Sequence, residues 1–466
     1  MSTQTNSAPA ANRFLQGPFA PVTEEIATFD LPVTGHLPPE LNGRYLRNGP
    51  NPMRMDDPNY HWFVGSGMIH GVRLRGGRAE WYRNRWVRSK VVAEALRERW
   101  PGGPVHGKDA APNTHIILHS GRILATIESG PLPYELSDEL STLHSWDFAG
   151  TLPAGFAAHT KPDFRTGELH AVAYSPWSDN VQHVVVDRNG RVVRITDIAV
   201  TDKPMMHDFA LTDRYVVLYD LPVTLSVDAA KAGSELPYTW NPKHEARVGL
   251  LRRDGSSTEV RWFGIDPCFV FHTLNGYDDG DRVVVDLCRY EDFDVSLLAG
   301  SGRAMLDRWT IDPSVGKVAS EHLSDHFQEF PRVDPRVLGR QHRYGYTTVI
   351  AELEQDVLTA RGSGCNLVGH PFGVCNVLLK HDLKSGTVEK RDFGRSAAAG
   401  EAVFVPTSPN AKEDDGYLMA FVHDLKGGAT DLIIFASQDF AGEPVARVHL
   451  PARVPLGFHG NWIADP

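Results

Sequence analysis

The chain has 466 residues, 23% of them charged, with 47 Lys and Arg against 58 Asp and Glu for a formal net charge of −11. That balance excludes nucleic acid as the main partner, because phosphate binding needs clustered Lys and Arg. The length is too great for one ordinary domain and too small for three, so one large repetitive architecture or two domains fit.

The N-terminus, MSTQTNSAPAANRF, has neither a basic start nor an apolar core, so it does not read as a secretory signal. It predicts a disordered tail over residues 1–15, with a single domain over 16–466. No run of 18 apolar residues occurs, and no transmembrane helix is expected. Cys268, Cys288, Cys365 and Cys375 form no CxxC pair. They read as reduced structural thiols, and the expected location is the cytoplasm.

Along the chain, SKVVAEALRERW (89–100) is the clearest helical pattern. GGPVHGKD (102–109) has the Gly-x4-Gly-Lys core of a phosphate loop, but Asp109 stands where Ser or Thr would bind magnesium, so it reads as a loop. His115 and His119 in NTHIILHS have the i, i+4 spacing of a helical zinc pair; the Ile-Ile-Leu between them reads as strand. VQHVVVDRNGRVVRITDIAV (181–200) predicts two strands around Asn189-Gly190. VLLKHDLKSGTVEKRDFG (377–394) repeats the pattern around Lys384-Ser385-Gly386. RYVVLYDLPV, DRVVVDLCRY, AMLDRWTID, GYLMAFVHDL and TDLIIFASQD predict further strands. The 32 prolines and 42 glycines are spread along the chain and mark no linker. Many hairpins over this length predict an all-β fold, a β-propeller ahead of a β-helix or paired sandwiches.

Four histidines share a local setting at the edge of strand-like runs: His159 in FAAHTKPDF, His207 in PMMHDFA, His272 in CFVFHTLNG and His459 in GFHGNWI. The first two gaps, 48 and 65 residues, are on the scale of one blade of a seven-bladed propeller; the third is 187. Among 21 histidines this spacing is weak by itself. Neutral imidazoles suit iron, copper, zinc and nickel. Four of them leave a metal's charge uncompensated, so carboxylates on the outer ring nitrogens are expected. Glu128 in RILATIESG, Glu329 in HFQEFPRVD and Glu401 in GEAVFVP are isolated acids in apolar runs and qualify.

These motifs, with GRYLRNGPNP (43–52), HWFVGSGMIHGV (61–72), YRNRWVR (82–88) and EDDGYLM (413–419), resemble the carotenoid cleavage oxygenases along nearly the whole chain. The resemblance implies a seven-bladed β-propeller with an α-helical and loop cap over an iron centre on the axis. It implies His159, His207, His272 and His459 as the ligands of one Fe(2+) per subunit. It implies Glu128, Glu329 and Glu401 as their outer partners, and Thr114 beside the open coordination site. Two positions depart from the family: Ser66 replaces an aspartate in GSGM, and Ile127 stands where stilbene-cleaving relatives carry a lysine before the glutamate.

The implied activity is cleavage of a conjugated C=C bond by O2 into two carbonyls, with a carotenoid or apocarotenoid as substrate. The same chemistry on a stilbenoid or phenylpropenoid is the alternative, and Ile127 argues mildly against it. Retinoid ester isomerisation, a zinc or copper site, and a non-catalytic binding propeller are the other readings; the complete set of four histidines and three glutamates opposes the last. Phe63, Ile127, Trp146, Phe148 and Phe271 are the candidate substrate contacts, each equally readable as propeller core. The resemblance allows a peripheral membrane contact at the tunnel mouth, with helix 89–100 as one candidate; its charged face favours an ordinary solvated helix instead.

Overall fold

A computed structural model describes residues 12–57, 59–293, 295, 304–349 and 375–465. Seven antiparallel sheets succeed one another along the chain, with one small two-stranded ribbon between them. Blade 1 is built on Gly43–Pro50, Gly67–Arg75 and Arg78–Trp86, with Ala27–Phe29 at its outer edge. Blade 2 runs from His115–His119 to Thr142–Ser145, and blade 3 from Thr160–Asp163 to Val192–Ala199. Blade 4 runs from Ala210–Leu211 to Val260–Gly264, and blade 5 from Phe269–Asp279 to Lys317–Ser324. Blade 6 runs from Gln328–Arg332 to Thr387–Asp392. Blade 7 starts at Ala397–Ala399 and Val403–Pro406 and ends at Ala446–His449. The fold is a seven-bladed β-propeller.

The two ends of the chain close the ring. Gly460–Ala464 pairs with Gly43–Pro50 and becomes the innermost strand of blade 1. Val33–Gly35 pairs with Ala446–His449 and becomes the outermost strand of blade 7. Such closure protects sheet edges that would otherwise invite another chain.

The residues explain the blades. Asn189-Gly190 and Lys384-Ser385-Gly386 are tight turns in which Gly190 and Gly386 take φ of +78° and +73°, a region costly for a side chain. Middle strands such as Arg282–Tyr290 are buried on both faces, because a blade packs against a neighbour on each side. Outer strands such as Lys317–Ser324 are mostly exposed and correspondingly polar. The apolar core is therefore divided into layers between blades: Leu46, Ile69 and Ile116 between blades 1 and 2, Leu124, Leu169 and Val184 between 2 and 3, Val403, Ile434 and Tyr45 between 7 and 1.

Helix is scarce. Lys90–Ala95 is capped by Ser89, whose hydroxyl accepts from the Val92 N–H, and ends before Arg97 at φ +57°. Val227–Lys231 is the other α-helix among the described residues. No helix there is long and apolar enough to cross a membrane. Where the resemblance implies a partly helical cap, the segments outside the sheets are, among the described residues, chiefly loops with short 3-10 turns and these two helices. Of the expected tail, residues 1–11 lie outside the described residues; Arg13–Leu15 forms a 3-10 turn that buries Phe14. Cys365 also lies outside them, and Cys268, Cys288 and Cys375 are buried free thiols.

Candidate metal centre

The innermost strands deliver one polar side chain each to a common region on the axis. Thr114 precedes the first strand of blade 2, His159 that of blade 3 and His207 that of blade 4. His272 lies in the first strand of blade 5, at a break in its pairing register. Glu329 lies in the first strand of blade 6, Glu401 precedes Val403–Pro406 of blade 7, and His459 precedes the closing strand of blade 1. A propeller brings strand starts together, which is why residues hundreds of positions apart meet.

His159, His207 and His272 form a buried group whose offered ligand atoms all lie within 4.8 Å of one another. The His207 and His272 Nε2 atoms are 3.2 Å apart. The His459 ring packs 4.7 Å from that of His159 and 4.8 Å from that of His272. The outer nitrogens meet carboxylates. His272 Nδ1 donates to Glu329 Oε2 at 2.5 Å, and His459 Nδ1 to Glu401 Oε1 at 2.9 Å. His207 Nδ1 stands 3.2 Å from Glu128 Oε2, without the alignment of a hydrogen bond. A carboxylate holding the Nδ1 proton leaves a lone pair on Nε2.

Two observations make a cation fit. His159 Nε2 is buried with no hydrogen-bond partner. The His207 and His272 Nε2 atoms, 3.2 Å apart, offer two further imidazole nitrogens to the same region. A divalent metal with a preference for imidazole satisfies all three. Burial, then the neighbouring histidines, holds His159 well below the ordinary histidine range, so it stays neutral and available. Burial likewise lowers His459 against the pull of Glu401. At His272 burial opposes protonation but the Glu329 carboxylate outweighs it and raises the pKa. Burial also opposes ionisation of Glu401, yet Arg332 and then His459 hold it down at about 2.

Each glutamate also accepts from a tyrosine or arginine that sequence reading missed. Tyr174 donates to Glu128 at 2.6 Å, Tyr290 to Glu329 at 3.0 Å, and Arg332 to Glu401 at 3.3 Å. Nothing local flags the tyrosines, which reach these acids across blades.

A cavity of about 870 Å³ opens onto the cluster, with His207, His272, His459, Thr114 and Glu128 among its walls. Phe63, Ile127 and Phe271 line it as expected. Trp146 and Phe148 do not, and this corrects the expectation for both. Phe148 is fully buried against Phe156 in the layer between blades 2 and 3, and Trp146 packs beside it under the Arg122 guanidinium. Phe330, Phe458, Tyr174, Tyr238, Met205 and Leu236 complete the apolar wall. The failed phosphate loop supplies His106, Gly107 and Lys108 to the rim, with no helix behind them. Helix Lys90–Ala95 lines no part of the cavity. His115 and His119 lie on a strand, as read; His115 is buried with its ring 5.2 Å from that of His459, and His119 Nε2 meets the Asp187 carbonyl at 2.8 Å. Ser66 contributes its carbonyl to the Asn51 N–H at 2.7 Å.

Comparison with known proteins agrees with this geometry. The family profile described as Retinal pigment epithelial membrane protein matches residues 19–464. A carotenoid cleavage oxygenase of Mycobacterium tuberculosis is 40% identical, with 99% of each chain covered. An isoeugenol monooxygenase of Pseudomonas putida is 31% identical, covering 96% of this chain and 97% of its own. The crystal structure of a Pseudomonas brassicacearum lignostilbene dioxygenase superposes with a TM-score of 0.87 at 28% identity, covering 98% of this chain and all of that one. Full-length similarity at this level, on a propeller with histidines gathered at its axis, means that the chain belongs to the carotenoid cleavage oxygenase family and is an oxygenase.

Proposed function

We propose that this oxygenase is a non-haem iron(II) dioxygenase that cleaves one conjugated C=C bond of a carotenoid or apocarotenoid into two carbonyl products. The observation that carries the reading is the largely apolar cavity of about 870 Å³ ending on His207, His272 and His459. His159, His207, His272 and His459 would together hold one iron(II) per subunit. Bound there, iron would supply the dioxygen chemistry that side chains lack. Overall, O2 adds across one double bond; the C=C breaks and each carbon leaves with one oxygen, so no external reductant is required.

The chain's own residues do the rest. Glu128, Glu329 and Glu401 orient the imidazoles through their outer nitrogens. Phe63, Ile127, Phe271, Phe330 and Phe458 exclude water and hold an electron-rich polyene against the histidine end. Thr114, whose hydroxyl is engaged with Asn113 Oδ1 at 2.9 Å, narrows the same end. The position cut is then set by how far the substrate enters. Ile127 supports a polyene over a hydroxystilbene, since it offers no cation to a phenol. Trp177, 88% exposed where it lines the cavity, supports peripheral membrane contact during substrate uptake. The three buried free thiols support a reducing, cytoplasmic setting.

The test is product mass spectrometry after incubating iron(II)-loaded protein under 18O2 with an apocarotenal and, separately, a 4-hydroxystilbene. Labelled aldehydes from the polyene are expected and locate the cut bond. Cleavage of the stilbene alone would overturn the substrate assignment and leave the chemistry standing.

A further inference from the structure

The four histidines come from four different blades, and blades meet mainly through apolar side chains. Apolar contact is non-directional and does not by itself fix a relative position to a fraction of an ångström. A metal site needs that precision. Directional contacts joining the histidine-bearing strands to one another are found beside the cluster, on residues that line no part of the substrate cavity.

On one side, Asp208 follows His207, Lys161 lies two residues after His159, and Thr273 follows His272. Asp208 Oδ2 accepts from Lys161 Nζ at 3.0 Å and from the Thr273 N–H at 2.9 Å, and Oδ1 stands 2.8 Å from the same ammonium as an ion pair. One buried carboxylate thus ties blades 3, 4 and 5. On the other side, Arg332 lies three residues after Glu329. It donates to Glu401 Oε2 at 3.3 Å and to Asn461 Oδ1 at 2.6 Å. Asn461 lies two residues after His459 and donates to the Ile116 carbonyl of blade 2 at 2.8 Å. Glu401 also accepts from the Gly460 N–H at 3.1 Å. One guanidinium thus ties blades 6 and 7 to the closing strand, and through it to blade 2.

We propose that Lys161, Asp208 and Arg332 are positioning residues that set the spacing of the four histidines before a metal arrives. The inference rests on the reading that these histidines hold a metal. A buried ion pair is a poor source of stability and can often be replaced by apolar groups without loss. What Lys161–Asp208 supplies that an apolar pair cannot is direction. The charges also balance: Glu128, Glu329, Glu401 and Asp208 against Lys161 and Arg332 leave two negative charges for a divalent cation.

The experiment uses the full chain freed of metal by chelation, with Co(II) as probe, comparing wild type, Lys161→Met, Arg332→Met and His207→Ala. Co(II) affinity is measured by competition with a chelator, the visible Co(II) spectrum reports ligand geometry, and thermal unfolding of the metal-free proteins reports the fold. Lys161→Met and Arg332→Met each remove a positive charge beside the site, so electrostatics alone would tighten cation binding. Positioning predicts the reverse: dissociation constants raised by about tenfold or more with altered visible bands, in chains still folded at the assay temperature, although Lys161→Met leaves Asp208 buried without its cation and lowers the metal-free midpoint. Unchanged or tighter Co(II) binding in both variants overturns the proposal, as does a lowered midpoint with unchanged affinity, which marks a merely structural role. Should Lys161→Met fail to fold, Arg332→Met, whose side chain is 21% exposed, decides alone. His207→Ala is expected to lose Co(II). If it keeps wild-type affinity, the histidine reading fails; if it loses Co(II) while the two methionine variants keep it, only the positioning role fails.

Discussion

At the scale of single residues, the outer carboxylates carry the sharpest consequence. Glu329 accepts from His272 Nδ1, Tyr290 and the Phe330 N–H, so one buried side chain fixes a tautomer and a ring orientation. Glu329→Gln keeps the shape and removes the charge. It should weaken iron binding by about 10–100-fold, read by metal content after dialysis against a graded chelator; wild-type retention would remove Glu329 from that role. A second residue reports on pH. His244 meets Asp202 Oδ2 at 3.0 Å and the fully buried Asp220 Oδ1 at 2.8 Å. Burial alone would lower its pKa, but the hydrogen bonds to Asp220 and Asp202 raise it above 6.5. A raised folded-state pKa means that folding favours the protonated ring. Its stabilisation is fully present below pH 6.5 and is lost as pH rises through the folded value. In an NMR titration His244 should titrate above 6.5, and His244→Gln should flatten that part of the stability profile; a resonance titrating below 6.5 would refute the assignment.

Among elements, the turn into the closing strand is sterically tight. Gly457 lies two residues before His459, and a Cβ there would collide with the Arg47 guanidinium. Arg47 is itself buried and donates to the Pro455 carbonyl at 2.6 Å, so it has little room to retreat. Gly457→Ala should cost about 1–3 kcal/mol by overpacking and shift His459. A lower thermal midpoint together with reduced metal content is expected, and Arg47→Met in the same chain should recover part of the stability. An unaltered midpoint in Gly457→Ala would show that Arg47 moves freely. This turn also marks what the sequence leaves illegible. The hairpins at Asn189-Gly190 and Lys384-Ser385-Gly386 were readable because turn chemistry is local. The helix read over 89–100 forms only over Lys90–Ala95, because the chain reverses at Arg97 in a conformation that its residue type does not announce. The histidines and glutamates were readable through family motifs. Tyr174, Tyr290 and the Lys161–Asp208 tie were not, because their partners lie on other blades. Trp146 and Phe148 misled for a related reason: an aromatic residue near a strand end does not say which side of the blade it faces.

For the whole molecule, the question is whether a metal builds the ring or only tightens it. Small metal domains unfold without their ion because they have no other core. Here blades 1 and 2, 2 and 3, and 7 and 1 each share an apolar layer, and the ring is closed by strand pairing at Gly460–Ala464 and Val33–Gly35. The metal-free chain should therefore keep the propeller. Yet the histidines sit on blades 3, 4, 5 and 1, so an ion bound by all four links distant parts of the ring and binds only the folded form. Mass action then adds about 2.7 kcal/mol at a free metal concentration 100 times the dissociation constant. Calorimetry with iron(II) under anaerobic conditions should show a midpoint that falls on adding chelator, with β-sheet circular dichroism unchanged at 25 °C. In His207→Ala the fall should be absent or much reduced. Loss of sheet signal on chelation would mean that the ion builds the ring. An unshifted wild-type midpoint would mean that the four histidines do not act together on one metal.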